Sequence, residues 1–202
     1  TSSAPSRRRR LVSTPDQVLE LWRVFPWDES AKTGARFSPS HVPPPTGRGR
    51  FDLPREISHV LYLAESPEHA VAEMIQPWRG RRLSPAHLRR ATHPLALVRV
   101  TADISGTSVA DLCDPEVLVN TGVAPDRSAS RHRDVTQPLA RRVWDRGFAG
   151  LRSWSSFWGD WHTCTLFTSR AAAGMSFGEP ERLAITHAAV TGAAEWLGIE
   201  LL

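Results

Sequence analysis

Cysteine is nearly absent: Cys113 and Cys164 are the only two, and they stand far apart in the chain. Two cysteines build no disulfide framework and offer no zinc spacing, so a stapled secreted scaffold and a zinc ribbon are both excluded. The eight histidines form no i, i+4 pair on a predicted helix, and no metal is expected. No apolar run approaches the roughly 18 residues that a membrane span needs. The opening TSSAPSRRRRLVSTP lacks the apolar stretch of a secretory signal, so the expectation is a cytoplasmic protein that makes no use of a membrane. Phosphate-loop chemistry is also missing, since TGRGR has no lysine followed by Ser or Thr. GRGR neither follows a strand nor opens a helix, which leaves a dinucleotide fingerprint without its context. A serine-hydrolase elbow is not expected.

Excess charge is scarce once the first ten residues are set aside. Arg7, Arg8, Arg9 and Arg10 account for the whole of the net charge of +4. The remainder is balanced, so basicity is no argument for specific nucleic-acid binding. Residues 1–15 read as a flexible basic arm and 16–202 as a single domain, a length that buries a proper core.

The elements alternate irregularly. DQVLELWRVFPW reads as a short helix or a helix-to-strand transition capped by Asp16, and residues 28–50, rich in Pro, Gly, Ser and Thr, as a long loop. ISHVLYLA is apolar and β-branched enough for a buried strand. Ser66-Pro67-Glu68 then supplies a helix start, with a serine cap, proline at the first position and an acid in the first turn. That helix runs to about Gln76, with Ala70, Val71, Met74 and Ile75 inward and Glu73 at the edge of the apolar face. PLALVRVTADI is a strand and DVTQPLARRVWDRGF a helix, followed by strands at GLRSW and WHTCTLF. EPERLAITHAAVTGAAEWLGI closes the chain as an amphipathic helix carrying Leu183, Val190, Ala194 and Leu197. The pattern predicts an α+β fold, a compact mixed sheet with flanking helices.

What remains for chemistry is a set of arginines, the single tyrosine, a glutamate and a serine cluster. Read singly they are bland: Arg48 and Arg50 as loop cations, Tyr62 as a half-buried strand residue, Glu73 as an exposed helix residue, SWSS as a polar turn. Their order matters more, because loop Arg50, strand Tyr62 and helix-edge Glu73 belong to one contiguous loop-strand-helix unit.

LWRVFPWDESA, GRGRFDLP, VLYLAESPEHAVAEM and GFAGLRSWSSFWGDWHTCTLF together resemble the successive blocks of the RES domain family, over roughly residues 20–168. The family takes its name from Arg, Glu and Ser and supplies the toxin of RES–Xre toxin–antitoxin pairs. Tyr62 and Glu73 stand at the family's eleven-residue spacing. Arg50 takes the place of the arginine in a G-R-W block, with Phe51 at the tryptophan position, and GARF at Arg36 is a second candidate for that block. Arg23 matches the arginine of the first block. Ser155 is the choice for the family serine, with Ser153 and Ser156 beside it as alternatives.

The resemblance implies an ADP-ribosyltransferase-like fold that takes NAD+ as substrate and cleaves its nicotinamide–ribose bond by hydrolysis or phosphorolysis. In that expectation Glu73, Arg50 and Ser155 are catalytic, and Arg23, Arg50, Tyr62 and Ser155 hold NAD+. A mono-ADP-ribosyltransferase with a protein acceptor and a catalytically silent interaction module are the other readings. The implied partner is an Xre-type antitoxin. The apolar last helix is free to pack in its own core or across a homodimer.

Overall fold

The structure, a computed structural model, describes residues 18–156 and 158–202. The arginine arm and the expected Asp16 cap lie outside the described residues. In chain order the elements are β1 (Val18–Pro26), β2 (Val60–Ala64), α1 (Pro67–Ile75), β3 (Arg82–Leu83), β4 (Arg89–Arg90), β5 (His93–Asp103) and β6 (Val109–Asp111). They continue with α2 (Pro115–Thr121), α3 (Pro125–Ala129), α4 (Arg133–Asp145), β7 (Gly150–Trp154), β8 (His162–Phe167) and α5 (Thr168–Ala171). The chain closes with β9 (Met175–Phe177), β10 (Glu181–Arg182), α6 (Ala188–Leu197) and β11 (Glu200–Leu201).

Two sequence expectations need correction. Val18–Pro26 is a strand along its whole length and not the start of a helix. Leu19, Leu21 and Phe25 pack into one apolar cluster and Trp22 and Val24 into another, a period of two. Because both faces are apolar, the alternation is hidden in the bare sequence. The closing helix is also shorter than expected and covers only Ala188–Leu197. Glu181–Arg182 is a strand on β5, and His187 caps the helix by accepting the Ala189 N–H through Nδ1 at 3.2 Å. Leu183 still joins the cluster that holds Val190, Ala194 and Leu197, but from the irregular segment ahead of the helix.

The main sheet runs β10-β5-β1-β2-β8-β7-β6, with β4 and β9 also paired to β5. Its pairs are antiparallel except β6–β7, which is parallel, and β3 and β11 form a separate parallel pair. The fold is thus α+β, a mixed sheet flanked by helices. On one side α1 and α6 pack with Val71, Ile75, Val190, Ala193 and Leu197. Elsewhere Leu112, Leu139, Val143 and Leu151 gather around Phe51 and Phe167. No helix among the described residues is long and apolar enough to cross a membrane.

One irregularity in the sheet positions everything that follows. β1 and β5 pair at every residue from Val18↔Asp103 to Pro26↔Leu95. By contrast, β1 and β2 meet only at Trp22↔Ala64. Beyond that contact the two strands part, and Arg23 and Val24 line a cleft with Tyr62 and Leu63 on its other side.

Candidate functional site

The cleft between β1 and β2 encloses about 320 Å³ and is also lined by Arg50, Glu73, Met74 and Ser156. Three elements deliver its charged groups. β1 carries Arg23, the loop before β2 carries Gly49 and Arg50, and α1 carries Glu73. The start of α1 is fixed by Ser66, whose side chain accepts the His69 N–H at 3.1 Å, and by Pro67 in the first turn. This cap sets the rotation of the helix, and with it the direction of Glu73.

Tyr62 lines the cleft, while its hydroxyl is committed elsewhere. It donates to Asp52 Oδ1 at 2.9 Å and accepts the Phe51 N–H at 2.9 Å. Burial and the neighbouring Asp52 carboxylate push the phenol well above its usual range. Asp52 Oδ2 in turn accepts the Gly49 N–H at 2.9 Å. The GRGRFD loop is therefore latched onto β2 by a carboxylate and a phenol. Only glycine fits at position 49, where a Cβ would lie 2.2 Å from Asp52 Oδ1 and 2.3 Å from the Tyr62 hydroxyl. Helix α4 closes the latch from behind. Gln137 Nε2 donates to the Gly47 and Gly49 carbonyls, and the Thr136 hydroxyl donates to the Arg50 carbonyl.

Tyr62→Phe keeps the ring but leaves the buried Asp52 carboxylate and the Phe51 N–H short of a partner. It is expected to lower stability by about 1–3 kcal/mol in urea melts at neutral pH. The sign with pH follows from the raised phenol. Below the ordinary value of 10.0 the Tyr62 hydroxyl is protonated in both folded and unfolded chains. Above it the unfolded chain ionises first, so this component of stability falls as pH rises, and the phenylalanine variant lacks it.

Arg50 reaches across the fold. Its Nε donates to the Ser130 carbonyl at 2.9 Å, Nη1 to the Trp154 carbonyl at 3.0 Å and Nη2 to the Ser128 carbonyl at 2.8 Å. Three of five N–H groups thus hold backbone, and two remain for a ligand. Burial lowers its pKa, and Glu73 pulls in the opposite direction. Arg23 donates from Nη1 to the Pro39 carbonyl at 3.1 Å. Burial alone pushes it down to about 10, which leaves it fully cationic at neutral pH. Among the described residues neither arginine has a carboxylate within ion-pair distance. Arg36, the other sequence candidate, is exposed, stacks over Phe37 and does not line the cleft.

Glu73 is about one-third exposed, its side chain retaining 38% of its accessible area. Its Oε1 lies 3.3 Å from His69 Nε2 and receives the Ser155 hydroxyl at 3.4 Å. Of the three serines left open by the sequence, Ser155 is the one beside the glutamate. Ser153 is fully buried in β7, and Ser156 lines the cleft with its carbonyl held by Arg131. All five expected residues, Arg23, Arg50, Tyr62, Glu73 and Ser155, therefore converge on one cleft or its immediate wall.

Sequence reasoning missed the supports. His69 precedes Glu73 by one helical turn, so the i, i+4 rule was available to find it. Asp52 carried no Asx-turn signal, because its carboxylate accepts from Gly49, three residues upstream, and not from a residue that follows it. Thr136 and Gln137 lie far along the chain and carried none. The lettering GMSFG at 174–178 does fit G-x-S-x-G, so sequence alone did not exclude an elbow there. Ser176 sits mid-strand in β9, exposed and opposite Thr101, whereas an elbow needs a strand-to-helix turn. Among the described residues no three His, Cys, Asp or Glu side chains converge to hold a metal.

The profile of the RES domain matches residues 20–186. Among solved structures, a chain of the M. tuberculosis MbcT–MbcA toxin–antitoxin complex is similar, with a TM-score of 0.52 and 17% identity over 84% of this chain and 86% of that one. At such identity the likeness is one of fold. Comparison with curated proteins gave no match. A match spanning most of the sequence, over the residues that build this cleft, shows that the chain belongs to the RES domain family.

Proposed function

We propose that this protein is an NAD+-consuming toxin that cleaves the nicotinamide–ribose bond of NAD+ in the β1–β2 cleft. The observation that carries this reading is the charge arrangement: two part-buried guanidinium groups with no carboxylate at ion-pair distance among the described residues on one side, and on the other a carboxylate held at one oxygen by His69 and Ser155. A dinucleotide with an anionic pyrophosphate and a ribosyl carbon that becomes cationic only as its bond to nicotinamide breaks matches both halves. Arg23 and the two remaining N–H groups of Arg50 bind the pyrophosphate through charge-assisted hydrogen bonds. Trp22 supplies a flat face for a ring, and Val24, Leu63 and Met74 add apolar contact.

The chemistry asks little of a general acid. Nicotinamide leaves as a neutral molecule from a cationic ring, taking the electron pair of the C1′–N bond. The demanding species is the oxocarbenium-like ribosyl cation, which the Glu73 carboxylate stabilises. Water or the oxygen of an acceptor then bonds to C1′, and its proton passes to the carboxylate or to solvent. Ser155 holds Glu73 or a ribose hydroxyl. The neutralising partner in this reading is an Xre-type antitoxin, in keeping with family membership and with the toxin–antitoxin setting of the structural neighbour.

The test is free nicotinamide measured with and without inorganic phosphate, in parallel with label transfer from NAD+ to protein. Release independent of phosphate identifies hydrolysis, and release that requires it identifies phosphorolysis. Label on a protein band identifies ADP-ribosyl transfer. No nicotinamide under any condition rejects the proposal.

A further inference from the structure

Among the described residues three buried side chains keep a polar atom without a hydrogen-bond partner, at His69, Ser153 and Thr165, and of these His69 is the one in contact with Glu73. His69 is 1% exposed, yet it sits on α1 one turn before a carboxylate that lines the cleft. Its Nε2 points at Glu73 Oε1 across 3.3 Å, whereas its Nδ1 is buried with no hydrogen-bond partner among the described residues. An imidazole placed for packing alone leaves a polar atom stranded at a cost that an apolar ring would avoid. The arrangement is explained if the Nε2–H contact is the purpose of the residue.

We infer that His69 is the positioning residue that fixes the Glu73 carboxylate, acting from the buried side while Ser155 acts from the cleft side. Three restraints make the imidazole rigid. Its backbone N–H is held by the Ser66 cap. Its ring stacks on Trp161 at 5.1 Å between centroids and 23° between planes. Trp161 in turn packs against Trp158 at 5.8 Å and Trp196 at 6.1 Å. The Ser155 N–H donates to the Trp161 carbonyl at 2.7 Å. That bond ties together Ser155, on one side of Glu73, and Trp161, which backs His69 on the other. Glutamate has three side-chain torsions, and at the exposed edge of a helix it samples several rotamers. Two donors on Oε1 select one of them and leave Oε2 as the oxygen presented to the cleft.

This inference rests on the reading of Glu73 as the group that stabilises the ribosyl cation. The tests are therefore chosen so that the two fail separately. His69→Phe keeps a flat ring against Trp161 without the donor, and His69→Gln places an amide N–H close to the position of Nε2. In nicotinamide release, His69→Phe is expected to lower kcat about 10–100-fold with KM changed less than about threefold, and His69→Gln to recover most of that loss. Thermal unfolding of His69→Phe should match the wild type. Wild-type kcat in His69→Phe overturns the inference, as does an equal loss in both variants accompanied by lower unfolding temperatures. The second readout needs no turnover. Nitrogen-15 spectra of labelled wild-type protein should show His69 with hydrogen on Nε2, at a shift that moves in Glu73→Gln. Hydrogen on Nδ1 alone, or a shift indifferent to Glu73→Gln, overturns the inference even if the enzyme proves to release no nicotinamide.

Discussion

Glu73→Gln is expected to lower nicotinamide release by about 10³-fold while leaving NAD+ affinity unchanged or slightly improved. The amide oxygen keeps the place of Oε1 and still accepts from His69 and Ser155, so the side chain stays where it is. Only the negative charge is lost, and the charge is what the ribosyl cation needs. Binding moves the other way. Glu73 is the carboxylate that acts electrostatically on Arg50, and removing it frees that cation for a phosphate oxygen. Kinetics of nicotinamide release with calorimetric NAD+ titration separates the two effects. Glu73 is partly exposed at the margin of α1, so the variant should unfold within about 0.5 kcal/mol of the wild type.

Arg50→Ala is expected to act on both fold and function. The guanidinium holds the carbonyls of Ser128, Ser130 and Trp154, and truncation leaves these part-buried acceptors without it. A loss of about 3 kcal/mol or more is expected in urea melts, since hydrogen bonds to a charged group are among the stronger ones. For a domain of this size that corresponds to roughly 6–12 °C in Tm. NAD+ affinity should fall at least about tenfold in the folded fraction. Arg50→Lys should recover little of either loss, because a single ammonium cannot reach three carbonyls set around a planar fork. A lysine variant with wild-type stability and affinity would show that the fork geometry does not matter.

These two residues illustrate what the sequence made legible. Glu73 was placed correctly at the edge of α1 because the Ser66-Pro67 start and the apolar spacing fix the helix wheel, which is local information. Arg50 is legible as a candidate from its glycine-bearing loop, but its three carbonyl contacts are not, since they join positions 50, 128, 130 and 154. β1 was misread because apolar residues on both faces obscure a period of two, and tertiary pairing with β5 decided the matter. The cleft itself arises where β1 and β2 pair only at Trp22↔Ala64, and no single residue encodes that parting. His69 was overlooked although it stood at helical spacing from Glu73. A histidine on a helix draws attention when a second metal ligand accompanies it, and less when it serves a carboxylate.

The most direct measurement follows NAD+ loss and free nicotinamide in one reaction, for wild-type protein and Glu73→Gln side by side. The wild type should yield one nicotinamide for each NAD+ consumed, and the variant should bind NAD+ as well as the wild type while consuming it about 10³-fold more slowly. Intact NAD+ in the wild-type reaction, or equal turnover in the two proteins, would contradict the account.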